Sequence, residues 1–478
     1  MTQPASRHVQ RRVRRALIAT VVIVLPVAIH SLWDLVEATL LARRIHAIAL
    51  RNEPVSLESL RYRLPNSDQR RAARLYASAA DLAAWRIHER WENGDVTRID
   101  TVVERAFGSG KPVPALDDLH RRFVEGEPAL TLLDEASRLD FSGFSSIAPS
   151  LQETSWPLLD LNALNCLRVD VLTARGDAVG AADALAESVK LQRTLSGEFS
   201  RHDARRRLYR SLQFLLQYAD PDTATLSRLQ QAFEQLPDQD DLAEQLRFQR
   251  ARLLGIYWPY PVGDQAWTLR PVLVTRGFLD SAISWVARPL VMRYMRHELD
   301  PFDEAIAVAR QGWPAKLEED RQLVSRYLGD LQNRRPAVTQ GMRWWLLRIT
   351  RGLGVRTLDW ALPSAGRDLT MRRTSIVALA IERFRRAHGG SAPGTLTALV
   401  PEYLREIPAD PFSGRPLLYR LDPDAYTVYS VDVDRTDNGG AVGGGALDSM
   451  PRTNKSQSRD FGIRVPLNAA TLTSRRHP

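Results

Sequence analysis

Cysteine is almost absent from the 478-residue sequence, which contains only Cys166. A single thiol excludes an internal disulfide framework, a CxxC motif and a Cys/His zinc cluster. Lysine is also scarce: only four of the 65 basic residues are lysines, so arginine supplies almost all of the positive charge. Glycine and proline, at 27 and 28 residues, are near their usual frequencies, which excludes a collagen-like or low-complexity chain. The 44% of hydrophobic residues predict a folded protein.

The net charge of +9 is concentrated at the N-terminus. Residues 1–15 hold five arginines and no acidic residue, which leaves a net charge of +4 for the rest of the chain. Nucleic-acid-binding domains carry a dense basic patch. The remaining charge is too dilute to form one, so we expect no nucleic-acid partner.

A hydrophobic run follows this basic arm directly. Residues 16–33 contain no Asp, Glu, Lys or Arg, and about 18–20 apolar residues are enough to cross a membrane as a helix. We therefore predict a transmembrane helix at 16–33 that anchors the chain in the membrane. The alternatives are a cleaved signal peptide and a buried core helix. The only cleavage candidate, Val36-Glu37-Ala38, lies in a continuing helical pattern.

The charges on either side of the run predict its orientation. Arginines precede it, whereas Asp34 and Glu37 follow it. Positively charged flanks stay in the cytoplasm. We expect a cytoplasmic N-terminus (residues 1–15), with the bulk of the chain on the opposite side of the membrane.

Helical patterns dominate residues 34–251, and we predict a mainly α protein with an irregular α-solenoid of tetratricopeptide-like hairpins in this region. In the clearest hairpin, Gly176 ends one helix and Asp177 caps the next. A second pair of helices is separated by Asp-Pro-Asp at 220–222. The sequence lacks the 34-residue period of true tetratricopeptide repeats, so the analogy concerns helix packing.

Residues 252–369 form an aromatic and basic helical region with seven of the eleven tryptophans. Two pieces, 277–295 and 341–360, are apolar enough to touch a membrane, but charges such as Asp280 and Arg288 make a full span costly. An amphipathic helix at the lipid headgroups is one interpretation. Helices packed on the core of the domain are the other, and we expect these.

The sequence pattern changes near residue 370. A helix at 372–387 ends at His388-Gly389-Gly390. Alternating β-like runs follow at 417–419 and 426–431, and a last one at 461–465. We predict a small α+β domain over residues 370–478.

This domain carries an ordered set of residues with a distinctive spacing. They are Ala380, Phe384, Gly389-Gly390, Pro393, Leu396, Leu399, Tyr403-Leu404, Asp410-Pro411-Phe412-Ser413-Gly414-Arg415-Pro416, Tyr419 and Tyr429-Ser430. The set resembles the periplasmic head of the major pseudopilin of type II secretion, and the whole chain resembles uncharacterised bacterial single-pass membrane proteins with a helical region. No pseudopilin processing site follows Arg14-Arg15, so the resemblance implies a pseudopilin-like head without assembly into a filament.

The resemblance also implies a calcium-binding loop after the last strands. Calcium takes six to eight oxygen ligands, and closely spaced carboxylates supply several of them. The family favours glycine where Asp432 and Arg435 stand, and the insertion at 439–458 loosens the geometry. A solvated acidic turn is the alternative interpretation. The candidate ligands are Asp432, Asp434, Asp437, Asn438 and Asp460.

No set of catalytic residues emerges from the sequence. The nine histidines are isolated from one another, and His297-Glu298 lacks the second histidine of a zinc-protease helix. We expect a non-enzymatic protein whose helical body binds a protein partner that the sequence does not identify. The resemblance alone suggests a link to envelope secretion. The alternatives are a membrane-anchored hydrolase with an unrecognised site and a membrane-surface scaffold that uses residues 277–360.

Overall fold

Helices make up most of the chain in the computed structural model, as the sequence predicts. Within the described residues there are eleven α-helices, one short 3-10 helix at Leu396–Leu399 and three β-strands. The described residues are 5–56, 67–92, 120, 127–139, 155–192, 198–236, 242–257, 278–333, 353–442 and 460–467.

The eleven helices are numbered here in chain order. They are α1 (Ala5–Leu50), α2 (Ser67–Glu92), α3 (Pro128–Ser137), α4 (Ser155–Arg175), α5 (Ala178–Gln192), α6 (Glu198–Tyr218), α7 (Thr223–Glu234), α8 (Leu242–Tyr257), α9 (Phe278–Ala309), α10 (Ala315–Asn333) and α11 (Leu353–Ala387).

The longest helix, α1, has 46 residues and contains most of the basic arm, the whole hydrophobic run and the start of the helical body. Pro26 lies inside it without ending it. The helix at the start of the α+β domain is also longer than predicted: α11 begins at Leu353 rather than at 372. Buried Leu358 and Leu362 extend its apolar face beyond the predicted start.

The predicted hairpin between α4 and α5 is confirmed. Gly176 has a φ of +84°, which glycine adopts without a steric penalty, and it ends α4. Asp177 caps α5, because its Oδ1 accepts a hydrogen bond of 2.9 Å from the Gly180 N–H. The start of α7 is built in the same way, with the Asp222 carboxylate accepting from the Thr225 N–H at 2.7 Å.

The three predicted β-runs form one antiparallel sheet in the order β1-β2-β3. The strands are β1 (Leu418–Leu421), β2 (Ala425–Ser430) and β3 (Phe461–Pro466). Leu418 pairs with Tyr429, and Tyr426 pairs with Val465. All six residues of the central strand β2 are buried.

The chain divides into two compact units. The first comprises Met1–Ser59, Leu246–Ala307 and Leu323–Thr357. Its described core lies where α1, α8 and α9 meet, because the buried residues come from all three helices. These residues are Leu41, Ile45, Ile48, Leu254, Met292, Met295 and Leu299.

The second unit comprises Leu60–Gln245, Val308–Gln322 and Leu358–Pro478. One hydrophobic cluster in it includes residues of the helical hairpins and residues of the sheet. The α+β domain therefore shares a core with the hairpins, which the sequence did not predict. Members of the cluster include Val169, Leu212 and Phe233 from the hairpins, Val377 from α11, and Val428 and Ile463 from the sheet.

Asp410, in the Asp-Pro-Phe-Ser-Gly motif, is 1% exposed and holds the turn that leads into the sheet. Its Oδ1 accepts hydrogen bonds from the Phe412 N–H (2.9 Å) and the Ser430 hydroxyl (2.6 Å). Its Oδ2 accepts from the Ser413 hydroxyl (2.8 Å) and the Val431 N–H (3.3 Å). One buried carboxylate thus ties the turn to the end of β2.

Replacing this carboxylate should destabilise the second unit. Asp410→Ala leaves buried N–H and hydroxyl donors without an acceptor, and we expect a loss of about 3 kcal/mol or more in the free energy of unfolding. Chemical denaturation followed by circular dichroism measures this loss. Asp424→Ala is the matched control. The Asp424 side chain is 74% exposed in the turn between β1 and β2, so this substitution should lower the free energy of unfolding by at most about 0.5 kcal/mol. Equal stability of the two variants would contradict the role of Asp410.

Candidate functional site

Beyond the hydrophobic run, α1 and α9 are joined by ion pairs. Closest to the run, Arg288 of α9 donates to Asp34 of α1, with Nη1 and Oδ2 2.8 Å apart. About a turn later along α1, Arg296 lies 3.3 Å from Glu37. In both pairs the carboxylate belongs to α1 and the guanidinium to α9.

Further along the two helices the signs are reversed. Arg44 of α1 donates to Asp300 (2.6 Å) and to Asp303 (3.2 Å) of α9. These pairs connect residues of α1 to residues 254–259 positions later in the chain, and Arg51, just after α1, pairs with Asp303, 252 positions later. A nearly constant separation of this kind requires the two helices to run parallel. We call the set the interhelical ladder: Asp34, Glu37, Arg44, Arg288, Arg296, Asp300 and Asp303.

A fully buried arginine closes the far end of the ladder. Arg250 of α8 has an exposed side-chain fraction of 0% and donates to Asp303 (2.5 Å) and to Glu53 (2.7 Å). A buried charge costs several kcal/mol unless it is paired and hydrogen-bonded. Here two carboxylates supply the pairing, and Arg51 adds a further contact of 2.9 Å to Asp303.

In the part of α1 that is nearer to its N-terminus, large apolar side chains are exposed. Within Thr20–Leu50 an 18-residue window has a mean hydropathy of 1.8, and in the described part of the chain this is the one helix long and apolar enough to cross a membrane. It overlaps the predicted span at 16–33, although the side chains of residues 15–19 lie outside the described ones. Side chains that are 46–64% exposed are those of Val21, Val22, Val24, Leu25, Val27, Ile29, Leu32, Leu35 and Val36.

Two of the predicted calcium ligands bind protein groups with both carboxylate oxygens. Asp432 receives two hydrogen bonds from Arg367, with Nε–Oδ1 at 2.9 Å and Nη2–Oδ2 at 2.8 Å. Asp460 is 3% exposed and accepts from the backbone N–H groups of Asn438 (3.1 Å) and Gly440 (2.7 Å). Burial raises the pKa of Asp460, while these N–H donors act in the opposite direction.

The remaining candidates also make local contacts. Asp437 accepts from the Gly439 N–H (2.8 Å) and the Tyr429 hydroxyl (3.2 Å). Asp434 accepts from the Thr436 N–H at 3.0 Å. The Asn438 side-chain amide donates to a backbone carbonyl in the same loop.

In this arrangement the candidate carboxylates are bound by donors of the protein itself. Among the described residues, no group of three or more His, Cys, Asp or Glu side chains is placed to hold a metal ion. Calcium needs six to eight oxygens, whereas both oxygens of Asp432 and of Asp460 already face donors. Most of the insertion at 439–458 lies outside the described residues. The calcium loop stays a prediction.

Asp432 and Arg435 have left-handed backbone conformations, with φ of +53° and +59°. Residues other than glycine rarely adopt this region, because Cβ then approaches the carbonyl oxygen. These are the two positions at which the pseudopilin resemblance implies glycine. The bidentate contact with Arg367 helps to hold Asp432 in this conformation.

Cys166 lies inside the α4–α5 hairpin and is 3% exposed. Burial raises the pKa of its thiol to about 12. A thiol, unlike a thiolate, is a poor nucleophile. Cys166 is therefore part of the hairpin interior, where nearby Asn165 donates to Ser188 at 2.9 Å.

A pair of carboxyl groups, which the sequence did not predict, lies where three helices meet. Arg168 of α4 donates to Asp134 of α3 at 2.7 Å and lies 3.4 Å from Glu187 of α5. Burial raises the pKa of Glu187 to about 8, and the Asp134 carboxylate adds to this effect while Arg168 opposes it. Nearby Lys190 donates to the Ser137 carbonyl at 3.0 Å. No local motif signals this pair, because its members are far apart in the chain.

Comparisons with protein-family models, with curated proteins and with solved structures gave no match for this chain. The pseudopilin resemblance therefore rests on the motif residues alone. The second piece for which membrane contact was one interpretation, 341–360, lies largely outside the described residues. In the first piece, 277–295, Met292 and Met295 are buried in the core of the first unit.

The raised pKa of Glu187 predicts a pH dependence of stability. Between pH 4.5, its ordinary pKa, and about pH 8, the folded protein keeps a proton that the unfolded chain has lost. Stability should therefore fall as the pH rises through this window, by at most about 1.4 kcal/mol per pH unit. Glu187→Gln should flatten the slope of unfolding free energy against pH, measured by urea denaturation in detergent at pH 5 to 8. Glu135→Gln, at a 44% exposed position, should have the same slope as the wild type. A wild-type slope in Glu187→Gln would contradict the assignment.

The calcium prediction is tested by melting the full chain in calcium and in chelator. If the loop binds calcium, the folded state gains about 2.7 kcal/mol at a calcium concentration of 100 times Kd. The melting temperature should then rise with calcium, and the rise should vanish in the double variant Asp434→Ala, Asp437→Ala. Asp424→Ala, outside the loop, should retain the calcium-dependent rise in melting temperature. Equal melting temperatures of the wild type in both solutions would show that the protein contacts hold the loop without metal.

Proposed function

We propose that this protein is a membrane-anchored binding scaffold. Helix α1 crosses the bacterial inner membrane once, and the helical body and the α+β domain lie in the periplasm, where they bind a protein partner. The observation that carries the proposal is the continuity of α1 from an exposed apolar segment into the ladder. The same helix is suited to lipid on one side of Asp34 and to protein on the other.

The positions of the charges support the orientation. The arginines of residues 1–15 precede the span, and the first acidic residues, Asp34 and Glu37, follow it. Both acids are paired with arginines of α9. In the proposed orientation, the packed part of the protein therefore begins immediately after the span.

The binding role is supported by the way buried charges are used in the described chain. Asp410 and Asp460 hold backbone turns, and Asp432 holds Arg367. These carboxylates hold the backbone and a helix of the α+β domain in place. Because the hairpins and the sheet share one hydrophobic cluster, the second unit offers a rigid surface to a partner. The irregular solenoid, the pseudopilin-like head and a role near envelope secretion belong to this proposal on the motif resemblance alone.

One observation favours a second candidate, a membrane-anchored enzyme. Hydrolases use a carboxyl group with a raised pKa as a proton donor, and Glu187, close to the Asp134 carboxyl group, has a raised pKa. A screen for hydrolase activity on wild type and Glu187→Gln separates the candidates. An activity present in the wild type and lost in a folded Glu187→Gln variant would favour the enzyme.

A pair of reporters tests the topology. Alkaline phosphatase fused after Pro478 should be active, since it folds only outside the cytoplasm, and green fluorescent protein at the same position should be dark. The matched variant replaces Arg11, Arg12, Arg14 and Arg15 with Glu, which removes the positive flank. It should reduce the phosphatase signal and raise the fluorescence. A wild-type fusion that is fluorescent and lacks phosphatase activity would overturn the proposed orientation.

A further inference from the structure

Asp320 of α10 is a buried carboxyl group without a matching donor. It is 6% exposed, and its buried Oδ1 has no hydrogen-bond partner in the part of the chain that the structure describes. Buried polar groups of folded proteins are almost always hydrogen-bonded, and an ionised carboxylate away from water is strongly unfavourable unless cations or several donors bind it. The surroundings of Asp320 therefore favour its neutral form.

The buried cation next to Asp320 on α10 binds other groups. Lys316 is one turn earlier on the same face of the helix and is 3% exposed. Its Nζ donates to the Ala309 carbonyl at 3.1 Å and lies 5.0 Å from the centre of the Trp313 ring. The positive charge of Lys316 is thus directed away from Asp320.

A second carboxyl group, Asp359 of α11, acts on Asp320, and both belong to the second unit. Burial and the like charge of Asp359 together raise the pKa of Asp320 to about 7. Arg321 has a smaller, opposing effect, because it is exposed and lies 3.6 Å from Glu318. Arg310, which follows α9, is also exposed. Since Asp359 is exposed whereas Asp320 is buried, Asp320 is the member of the pair that keeps a proton.

A proton suits this position better than a metal ion does. Calcium takes about six to eight oxygen ligands, and magnesium requires an octahedral set. Among the residues with described positions, no three His, Cys, Asp or Glu side chains are grouped to hold a metal. A proton needs one oxygen and no additional space, so it can neutralise Asp320 without any change in packing.

The start of α10 contacts two loops of the α+β domain. The Trp313 ring meets the Phe412 ring edge to face, with the ring centres 5.9 Å apart. Glu318 lies 3.8 Å from Arg435. Phe412 belongs to the Asp-Pro-Phe-Ser-Gly motif, and Arg435 belongs to the loop after β2. A change in the packing of α10 at Asp320 therefore reaches both loops.

We propose that Asp320 is a proton-binding site that controls the packing of residues 315–322, the start of α10. With a proton, the neutral carboxyl group stays buried near Asp359 and the segment stays closed. Without it, two negative charges favour an open form in which Asp320 reaches water and the contacts of Trp313 and Glu318 with the α+β domain loosen. This inference goes beyond the proposed function, because it requires neither a membrane span nor a partner.

The direction of the pH effect follows from the site. Between pH 3.8, the ordinary pKa of an aspartate, and about pH 7, the closed form keeps a proton that the open form has lost. The closed form is therefore favoured at low pH. Its equilibrium with the open form shifts by up to about tenfold towards opening for each pH unit of rise through this window. Above about pH 7 the shift is complete.

Hydrogen exchange measured by mass spectrometry tests the proposal on the full chain in detergent. The exchange of residues 315–322 is followed between pH 5 and 8 and divided by the exchange rate of an unstructured peptide of the same sequence, which removes the effect of pH on the exchange chemistry. We expect the protection of the wild type to fall by up to about tenfold per pH unit between pH 5 and 7, and to level off above pH 7.

Three variants locate the effect. Asp320→Asn removes the titrating group and keeps its size, so the protection of residues 315–322 should no longer depend on pH. Glu319→Gln is the matched control at the neighbouring exposed position and should keep the pH dependence of the wild type. Asp359→Asn removes the like charge, so protection should level off at a lower pH than in the wild type.

The proposal has distinct ways to fail. It would be overturned by protection of the wild type that stays constant from pH 5 to 8, or by a wild-type pH dependence in Asp320→Asn. An unchanged levelling-off pH in Asp359→Asn would contradict the pairing of the two carboxyl groups. If magnesium chloride restores protection at pH 8 in the wild type, relative to chelator, and fails to do so in Asp320→Asn, the pair binds a metal ion instead of a proton.

Discussion

The ion pairs between α1 and α9 are the constraint on which the first unit depends. Acidic residues of α1 face arginines of α9 near the hydrophobic run, and the signs are exchanged further along, at Arg44. An antiparallel arrangement would place Asp34 level with the aspartates at 300 and 303, and like charges repel. The charge pattern therefore specifies a parallel pair, and Arg250 closes its far end with no exposed surface. The direction of α9, and with it the level at which α9 begins, follows from this pattern.

Buried carboxylates have a comparable role in the second unit. Asp410 ties a turn to β2 through four donors, and Asp460 ties the loop after β2 to the start of β3 through backbone N–H groups. A carboxylate bound by several donors is stable in a low-dielectric interior only because each donor replaces a lost contact with water. Asp410, Ser413 and Ser430, which belong to the motif that carries the pseudopilin resemblance, thus have a structural explanation in this chain. Asp410 would be needed for folding whatever the domain binds.

Much of the local structure was predictable because its signals are local. The cap of α5 depends on Asp177 and Gly180, three residues apart, and the three β-runs are short alternating segments. The contacts of the candidate site were harder to predict from the sequence. The resemblance implies that Asp432 is a calcium ligand, and nothing in its loop reveals the hydrogen bonds from Arg367, on a helix 65 positions earlier. Glu187 has a raised pKa because α3 and α4 bury it and bring Asp134 close, and no spacing rule in the sequence reports such a contact.

The sequence by itself determined the class of the protein: a basic arm, an apolar run of membrane length, a mostly helical body and a small antiparallel sheet. Each depends on composition or on a period of two to four residues, which a chain carries before it folds. Only the tertiary structure decided that the sheet and the hairpins share a core, that Arg250 is buried between Glu53 and Asp303, and that α9 runs parallel to α1. These features pair residues up to about 250 positions apart, and their energies depend on distance and burial, which exist only after the helices have packed.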